Sequence, residues 1–514
     1  MIRTDRQAKR EEAMFAVGVD SGTQSTKALI VEFDTGRVLG RGQAPHAMIP
    51  GLKPGESEQN PEVWIGAFEK ALVAALREAA VNPTDVRAIG VSGQQHGFVP
   101  LDEKGYPIRP AKLWNDTSTV AETEAIVATL GGSAAVIEKL GLNLAVGFTA
   151  SKILWLKRHE PDHFRRLKTV LLPHNYINHH LTGISHMEFG DASGTGLMDI
   201  RRLRWNEEAA AAIDDGLAEK LPPLHHPLEP VGPMKPSLAA AFGFKDVLVA
   251  AGGGDNMMGA IGTGNAAPGV CTLSLGTSGT IYSYFARPFF DPLGEIAAFC
   301  DSTGGWLPLL CTMNVTNTTE CWKAVLGIDS AGRDALAAQA PAGSGGLIFL
   351  PFIDGERVPV LPEASGVFFG LNRGNFHSPT MTRAVMEGTI LNLGYGFGRL
   401  RELGLNPSEI RATGGGAKSP FWLRLVADIF QTPVATLAEA EAAAFGAALQ
   451  AMWCWKNDQG ERVTIGDLTR AMVRTGGAFL EPDRNRAELY TVLQGRFNSL
   501  WKTLASEFRA APRT

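Results

Sequence analysis

Two acidic residues stand directly after apolar runs, and each lies beside a turn rich in glycine. Asp20 ends the run Phe15–Val19 and is followed by "SGTQST", whereas Asp255 follows three glycines in "GGGDNMMG". A carboxylate held at the end of a buried strand can bind a divalent cation or accept a proton, and a Gly-Thr turn can direct backbone N–H and hydroxyl groups at phosphate oxygens. These are the parts that phosphoryl transfer from a nucleotide to a hydroxyl group requires.

Each of these features also has an ordinary structural interpretation, which the residues alone leave open. Asp-Ser-Gly, as at 20–22, is common turn chemistry, and Asp255 could act only as the N-cap of the helix that follows it. In "GERVP", Glu356 and Arg357 could form a surface ion pair or take part in domain closure. The motif "LWND" at 113–116 could line a pocket or simply end a strand.

Two further turns supply groups for binding. In "SGQQHG", Gln95 and His96 follow a strand and bring amide and imidazole groups that can pair with hydroxyls, although a turn histidine can also be purely structural. In "TGGGAKSPFW", three glycines precede a helix that Ser419 can cap, with Pro420 at its first position. Glycines let a ligand approach the backbone, and a helix N-terminus offers free N–H groups, so this turn is a candidate phosphate or adenine contact.

The elements that position these residues indicate a mixed α/β fold. The segments Phe15–Val19, Ala28–Phe33 and Val38–Gly40 read as an antiparallel meander of strands. A helix follows, with Asn60 as its N-cap and an apolar face that repeats every four residues. The next strand ends in the polar turn Gly93–Gly97, so a helix connects strands, as in α/β proteins.

The strand–turn–strand unit at the start of the chain occurs a second time. The segment Cys271–Phe285, "CTLSLGTSGTIYSYF", again places a Gly-Thr turn between two apolar runs. Aligning the Gly-Thr pair at 276–277 with the pair at 22–23 puts Ser274 at the position of Asp20. Internal similarity separated by about half the chain predicts two duplicated domains.

The composition is that of a large globular protein. The chain has 514 residues, more than one ordinary core accommodates, with 45% hydrophobic and 20% charged residues. Its net charge is −5 and no basic stripe stands out, so we expect no nucleic-acid partner. The first residues are charged and no run of about 18 apolar residues occurs, which predicts neither a signal peptide nor a membrane-spanning helix. Five cysteines without a Cys-x-x-Cys pair argue against a zinc site or disulfides and favour the cytoplasm.

Three common nucleotide or hydrolase motifs do not fit the sequence. Lys27 follows "GTQST" without the glycine of a Gly-x-x-x-x-Gly-Lys-Ser/Thr loop, and "GGGDNMMG" does not match Gly-x-Gly-x-x-Gly. No Gly-x-Ser-x-Gly elbow occurs. Neither a P-loop, a dinucleotide fingerprint nor an α/β-hydrolase site is therefore predicted.

Eight motifs resemble those of one known family in order and in rough spacing. They are "GVDSGTQSTK", "SGQQHG", "LWND", "GDASGTGLMD", "GGGDNMMG", "LSLGTSG", "GERVP" with "GVFFGL", and "TGGGAKSPFW". Over roughly Phe15 to Leu449 the chain resembles the FGGY family of carbohydrate kinases. The resemblance implies an α/β fold of two duplicated domains of the actin and sugar-kinase type, which is ribonuclease-H-like, with a central cleft.

The resemblance also implies how the chain divides. Residues 15–265 would form the N-terminal domain, which binds the sugar and holds the catalytic acids, and residues 266–510 the C-terminal, nucleotide-binding domain. Residues 1–14 precede both and read as a loose N-terminal arm, with a helical extension as the alternative.

Roles follow from the resemblance residue by residue. Asp255 takes the position of the family's catalytic base, and Asp20 that of the acid that organises the phosphates and Mg²⁺, with the metal reached through water. Gln95 and His96 match the sugar-binding pair, and Asp255 and Asn256 also face the sugar. The residues that match contacts to the nucleotide are Thr23, Lys27, Thr277, Gly415 and Ser419.

The implied reaction is ATP-dependent phosphorylation of a ketopentose, with D-xylulose as the first candidate, D-xylulose 5-phosphate as product, and ATP and Mg²⁺ as cofactors. Alternatives are another ketose or polyol, such as ribulose or a sugar alcohol, and a catalytically idle sugar or nucleotide sensor on the same fold. Retention of both Asp20 and Asp255 favours catalysis. Many bacterial members have Met where Gln95 stands, which leaves the sugar open. We expect a cytoplasmic protein with a small-molecule sugar partner, and a homodimer is left open.

Overall fold

The computed structural model describes residues 13–510 of the chain. The expected arm at residues 1–14 therefore falls outside the described residues, except for its last two. The strands are β1 (Phe15–Ser21), β2 (Ser25–Glu32), β3 (Val38–Pro45), β4 (Glu58–Gln59), β5 (Val86–Gly93), β6 (Val99–Leu101), β7 (Ala111–Lys112), β8 (Thr169–Leu171), β9 (Met187–Glu188), β10 (Met198–Asp199), β11 (Arg204–Trp205), β12 (Leu224–His225), β13 (Gly232–Pro233), β14 (Leu248–Val249), β15 (Gly253–Gly254), β16 (Val270–Leu275), β17 (Gly279–Ser283), β18 (Ala297–Cys300), β19 (Trp306–Thr312), β20 (Ile348–Pro351), β21 (Gly366–Phe369), β22 (Glu409–Thr413), β23 (Val434–Leu437) and β24 (Thr475–Leu480). The helices are α1 (Pro61–Ala79), α2 (Val120–Thr129), α3 (Ser133–Leu140), α4 (Thr149–His159), α5 (Pro161–Arg166), α6 (Pro173–Thr182), α7 (Phe189–Ala192), α8 (Glu207–Ala211), α9 (Pro236–Phe242), α10 (Asp255–Gly262), α11 (Thr316–Leu326), α12 (Ser330–Ala338), α13 (Ser378–Glu402), α14 (Pro420–Phe430), α15 (Ala442–Asp458), α16 (Ile465–Met472) and α17 (Arg484–Ala510).

The first sheet has seven strands, ordered β13-β14-β5-β1-β2-β3, with β15 also paired to β5. β1 is antiparallel to β2 and β2 to β3, so the predicted opening meander is confirmed. Side chains alternate between the two faces of β1, because successive residues of a strand point in opposite directions. Val17 and Val19 pack with Trp64 of α1, whereas Ala16 belongs to the core on the other face. Asn60 caps α1 as predicted, accepting a hydrogen bond from the backbone of Glu62.

The second sheet repeats the arrangement of the first. Its order is β18-β19-β17-β16-β22-β23-β24. β16 is antiparallel to β17 and parallel to β22, just as β1 is antiparallel to β2 and parallel to β5. Ser274 opposes Thr413 of β22, and Asp20 opposes Ser92 of β5, so the two occupy the same place in their sheets. The duplication predicted from the two Gly-Thr hairpins is confirmed.

One helix joins the two halves of the chain. α15 follows the second sheet in sequence, yet it packs on β1, β5 and α10 of the first half. Glycines make this approach possible: a Cβ at Gly18 or Gly90 would collide with the backbone of α15, and a Cβ at Gly262 would do the same. The boundary between residues 265 and 266 separates the two sheets in sequence, but α15 from beyond it packs on the first sheet. As a domain boundary it stays a prediction.

Two expectations about the whole chain concern membranes and cysteines. Within residues 13–510, no single helix is long and apolar enough to span a membrane; α2 and α3 reach the required length and hydropathy only when taken together, and they are bent by 76°. All five cysteines are free.

Candidate active site

Three neighbouring strand ends of the first sheet bring the two acids together. Asp20 at the end of β1 opposes Ser92 of β5, and Ser92 in turn opposes Gly253 of β15. Asp255 begins α10 two residues after Gly253. Ser92 Oγ donates a hydrogen bond to Asp20 Oδ1 at 2.9 Å. The parallel pairing of β5 with its two neighbours therefore places both carboxylates at one edge of the sheet.

The environment of Asp255 suits a proton acceptor. Burial and, after it, the nearby negative charge of Asp20 raise its pKa to about 7. The backbone N–H and the side-chain amide of Asn256 oppose this rise, because they donate to Asp255 Oδ1 at 2.8 and 3.0 Å. Burial also raises the pKa of Asp20, against the hydrogen bond from Ser92 and the charge of Lys27.

The residues expected to bind sugar line one cleft of about 600 Å³. Gln95, His96, Asp255 and Asn256 all face it. Asn256 Nδ2 donates to Gln95 Oε1 at 2.7 Å, which links the strand-end turn of β5 to the start of α10. Gly254 is required here, since a Cβ would stand 2.6 Å from Gln95 Cγ. The structure therefore brings the four predicted residues to one cleft, and hydrogen bonds join three of them, Gln95, Asn256 and Asp255.

His96 is held in an unusual backbone conformation by contacts to its carbonyl group. Its φ is +60°, a region that residues other than glycine adopt infrequently. Lys152 Nζ donates to His96 O at 2.6 Å, and Thr149 Oγ1 donates to the same atom at 3.2 Å. The ring lies 4.6 Å from that of Phe148 and 5.6 Å from that of Phe299. Burial lowers the pKa of His96 to about 3, so the imidazole is neutral and can both donate and accept hydrogen bonds.

The motif at 113–116 contributes to the site through one residue and supports it through another. Trp114 lines the cleft, and its Nε1 donates to Thr23 Oγ1 at 3.1 Å, so the cleft wall is joined to the first Gly-Thr hairpin. Asp116 is fully buried and accepts from Lys112 Nζ at 3.1 Å, which is a structural role. Of the two interpretations left open, pocket lining applies to Trp114.

The residues expected on the nucleotide side are spread over several elements. Thr277 lies exposed between β16 and β17, and the adjoining Gly276 and Ser278 line the cleft. Lys27 Nζ forms an ion pair of 2.5 Å with Glu441, each about one-third exposed. Gly415 faces open space.

Ser419 caps its helix as predicted. Its Oγ accepts from the backbone N–H of Trp422 at 3.1 Å and donates to Asp334 Oδ2 at 2.5 Å. Its hydroxyl is thereby engaged within the protein. A direct contact of Ser419 with nucleotide stays a prediction, as do those of Thr23, Lys27, Thr277 and Gly415.

A buried cluster behind the cleft was not singled out from the sequence. Asp191 Oδ2 pairs with His174 Nδ1 at 2.8 Å, and Glu188 accepts from the backbone N–H of Asp191. Burial raises the pKa of Asp191 to about 8, and its charge adds to the raised pKa of Asp255. The motif "GDASGTGLMD" contains Asp191, but nothing local distinguishes it from a turn residue.

Family models and relatives cover nearly all of this architecture. Residues 15–262 match the N-terminal domain, and residues 287–455 the C-terminal domain, of the FGGY family of carbohydrate kinases. The xylulose kinase of Haemophilus influenzae is 45% identical to this chain over 452 residues. The match covers 87% of this chain and 91% of the length of that enzyme.

Solved structures show the same fold. The xylulose kinase from Bifidobacterium adolescentis superposes with a TM-score of 0.81 at 30% identity, covering 94% of this chain and 100% of its own. The gluconate kinase from Lactobacillus acidophilus superposes with a TM-score of 0.88 at 25% identity, covering 97% of this chain and 100% of its own. Enzymes named for different sugars therefore share this architecture.

Proposed function

This chain belongs to the FGGY family of carbohydrate kinases, and we propose that it phosphorylates a ketopentose with ATP as donor. The first candidate substrate is D-xylulose, with D-xylulose 5-phosphate as the product. The observation that carries the proposal is the convergence of Gln95, His96, Asn256 and Asp255 on one cleft that also reaches the second Gly-Thr hairpin. A sugar bound in this cleft would place a hydroxyl between Asp255 and the second Gly-Thr hairpin, where we expect the phosphates. Similarity to named xylulose kinases supports this sugar.

The cleft suits a small polyhydroxylated ligand. Its volume of about 600 Å³ falls within the usual range for small-molecule sites. Gln95, neutral His96 and Asn256 supply both donors and acceptors for sugar hydroxyls. Phe148 and Phe299, which flank the His96 ring, offer apolar surface to the C–H faces of a sugar.

We assign the general base to Asp255. Its carboxylate accepts the proton of the terminal hydroxyl as that oxygen bonds to the γ-phosphorus, while the bond from the γ-phosphorus to the bridging oxygen breaks and ADP leaves. With a pKa of about 7, Asp255 is more basic than an ordinary aspartate and still substantially ionised at neutral pH. The transition state of such transfers is loose, so positioning contributes more than basicity.

Asp20 is the residue we assign to Mg²⁺, most simply through water. Mg²⁺ usually takes one or two carboxylates together with several waters and substrate phosphates. Residues 13–510 contain no group of three or more His, Cys, Asp or Glu arranged to hold a metal. A Mg²⁺ site with a single carboxylate, completed by waters and phosphates, is consistent with this. Ser92 fixes one carboxylate oxygen of Asp20. When bound, the ion would offset charge on the phosphates.

Another ketose or polyol is the second candidate, because the same architecture occurs in an enzyme named for a different substrate, a gluconate kinase. The idle-sensor alternative is set aside, because the chain is a carbohydrate kinase. The sugar and the nucleotide are the only partners the reaction needs. Location in the cytoplasm and assembly as a homodimer stay predictions.

A coupled assay of ADP release tests the proposal. Wild-type protein is given D-xylulose, D-ribulose, xylitol, glycerol or gluconate at equal MgATP, and we expect the highest kcat/KM with D-xylulose. If gluconate or a polyol exceeds D-xylulose, the sugar assignment is wrong and the family assignment stands. If no sugar raises ADP release above the sugar-free rate, the proposed reaction itself is wrong.

A further inference from the structure

The loop between β20 and β21 carries an acid and a cation that point in opposite directions. Glu356 is 2% exposed. Its carboxylate accepts from Met313 N at 2.7 Å, Arg357 N at 2.8 Å, Asn392 Nδ2 at 2.9 Å and Asn314 Nδ2 at 3.1 Å. The interpretation of Glu356 and Arg357 as a surface ion pair is therefore wrong: Glu356 anchors the loop from inside.

The same anchor ties this loop to the second Gly-Thr hairpin. Asn314, which binds Glu356, is followed by two residues whose backbone groups hold the turn. Val315 N donates to Thr277 O at 3.2 Å, and Thr316 N donates to Gly276 O at 3.1 Å. The loop and the hairpin are therefore positioned by one continuous segment, 313–316, and keep a defined separation.

The guanidinium group of Arg357 is exposed and lines the cleft. Among residues 13–510, no carboxylate forms an ion pair with it. Burial raises the pKa of the Cys311 thiol on the same wall, and the charge of Arg357 opposes that rise. The charge also contributes to the lowered pKa of His96, whose largest cause is burial. Arg357 therefore acts electrostatically on both walls of the cleft.

We propose that Arg357 is a catalytic residue that contacts the phosphoryl group as it passes from the nucleotide to the sugar. This inference rests on the proposed function. As the sugar oxygen bonds to the γ-phosphorus and Asp255 takes its proton, Arg357 donates hydrogen bonds to the non-bridging oxygens of the phosphoryl group. The charge of Arg357 is unchanged in the step, and ADP leaves with the electron pair of the broken bond.

The choice of a phosphoryl group over a sugar hydroxyl follows from charge. D-xylulose is neutral, so the phosphates are the only anions that the proposed reaction brings into the cleft. A guanidinium presents a planar fork that matches two phosphate oxygens, and it remains charged at every working pH. Within the part of the chain that the structure describes, the guanidinium of Arg357 has no carboxylate partner and is held at a defined distance from the second Gly-Thr hairpin. It can therefore stabilise the negative charge that spreads over the transferred phosphoryl group.

The test compares Arg357→Met and Arg357→Lys with Arg373→Met, which removes the same charge from an exposed position outside the cleft. Thermal unfolding reports whether each variant folds. Calorimetry without sugar gives Kd for ADP and for a non-hydrolysable ATP analogue, both with Mg²⁺. Steady-state assays give kcat and the KM for D-xylulose, or for the best sugar of the wild-type panel.

For Arg357→Met we expect kcat to fall by about 10²–10³-fold with the sugar KM changed by less than about threefold. The Kd for the analogue should rise about tenfold while that for ADP stays nearly constant, because only the analogue carries a γ-phosphate. Arg357→Lys should recover part of both losses, and Arg373→Met should match wild type.

A kcat within about threefold of wild type would overturn the inference, as would a loss confined to the sugar KM or an equal loss of affinity for ADP and the analogue. If Arg357→Met does not fold, the same three criteria are applied to Arg357→Lys. Nucleotide binding needs no sugar, so the two failures can be distinguished. A wild-type protein that fails on every sugar overturns the proposed function, whereas an equal loss of affinity for ADP and the analogue in Arg357→Met overturns the contact of Arg357 with the transferred phosphoryl group.

Discussion

Asp20 and Ser92 lie opposite each other in the parallel pairing of β1 with β5, and Ser92 Oγ donates to Asp20 Oδ1 at 2.9 Å. Ser92 also pairs with Gly253, two residues before Asp255. Ser92 therefore pairs with both of the strands that lead to the two acids. After burial, the charge of Asp20 is the largest cause of the raised pKa of Asp255. The two carboxylates are therefore a coupled pair whose environments fit them for different roles.

Replacing Asp255 should remove the proposed general base and change the affinities for sugar and nucleotide only slightly. For Asp255→Asn we expect a loss of roughly 10²–10⁴-fold in kcat, the usual range for a general base, with sugar and nucleotide affinities within a few fold of wild type. Turnover and calorimetry on the purified variant check this. Asp34→Asn, in an exposed turn after β2, is the control. A variant at position 255 with near-wild-type turnover contradicts the assignment.

The raised pKa of Asp255 predicts a pH dependence. Only the ionised carboxylate can accept a proton, so kcat/KM should fall as pH drops through about 7. The charge of Asp20 raises this pKa, so Asp20→Asn should move the midpoint of its residual activity to lower pH. The pH profile of the residual rate of Asp255→Asn, which lacks this carboxylate, is the control for titration of the nucleotide, and the two profiles are compared. A wild-type profile that stays flat well below pH 7 contradicts the prediction.

Asp20→Asn should weaken the response to Mg²⁺. An amide oxygen is a poorer ligand for a hard cation than a carboxylate, so we expect a higher Mg²⁺ concentration at half-maximal rate, a lower kcat and little change in sugar binding. Ser92→Ala should shift the Mg²⁺ response in the same direction by less, because it removes one hydrogen bond worth about 1 kcal/mol. Overlapping Mg²⁺ titrations of Asp20→Asn and wild type would falsify the role.

Local patterns were sufficient to predict the strand ends that carry the acids. The first hairpin, the N-cap Asn60 and the helix after Asp255 follow from apolar periodicity and from turn and cap residues, which act over a few positions. The equivalence of Asp20 and Ser274 was predicted from the repeated Gly-Thr turns and is confirmed by strand register. The strand that leads to the glycines before Asp255, β14, has only two residues, Leu248–Val249, and the chain turns at Gly252 with a φ of +74°.

Long-range packing could not be predicted in the same way. The docking of α15 on the first sheet depends on close approach at Gly18 and Gly90, and nothing near these glycines in sequence identifies the partner. Charged residues usually lie at the surface, so the sequence alone indicated an exposed position for Glu356. Three of its four hydrogen-bond donors lie 36 to 43 residues away in the chain, so its burial follows from the tertiary fold.

A substitution of Gln95 tests how much this side chain contributes to the choice of sugar. Gln95→Met places an apolar side chain of similar length where Gln95 Oε1 now accepts from Asn256 Nδ2 at 2.7 Å. We expect the variant to retain activity on D-xylulose and to change the ratio of kcat/KM between D-xylulose and D-ribulose by only a few fold, since one hydrogen bond contributes about 1 kcal/mol. Glycerol should remain poor in both proteins, because it leaves polar groups of a dry cleft unpaired. The measurement is kcat/KM for the three substrates, with Gln43→Met, exposed on β3, as the control. A change in the ketose ratio well above tenfold would make Gln95 a principal determinant of specificity and contradict the expectation.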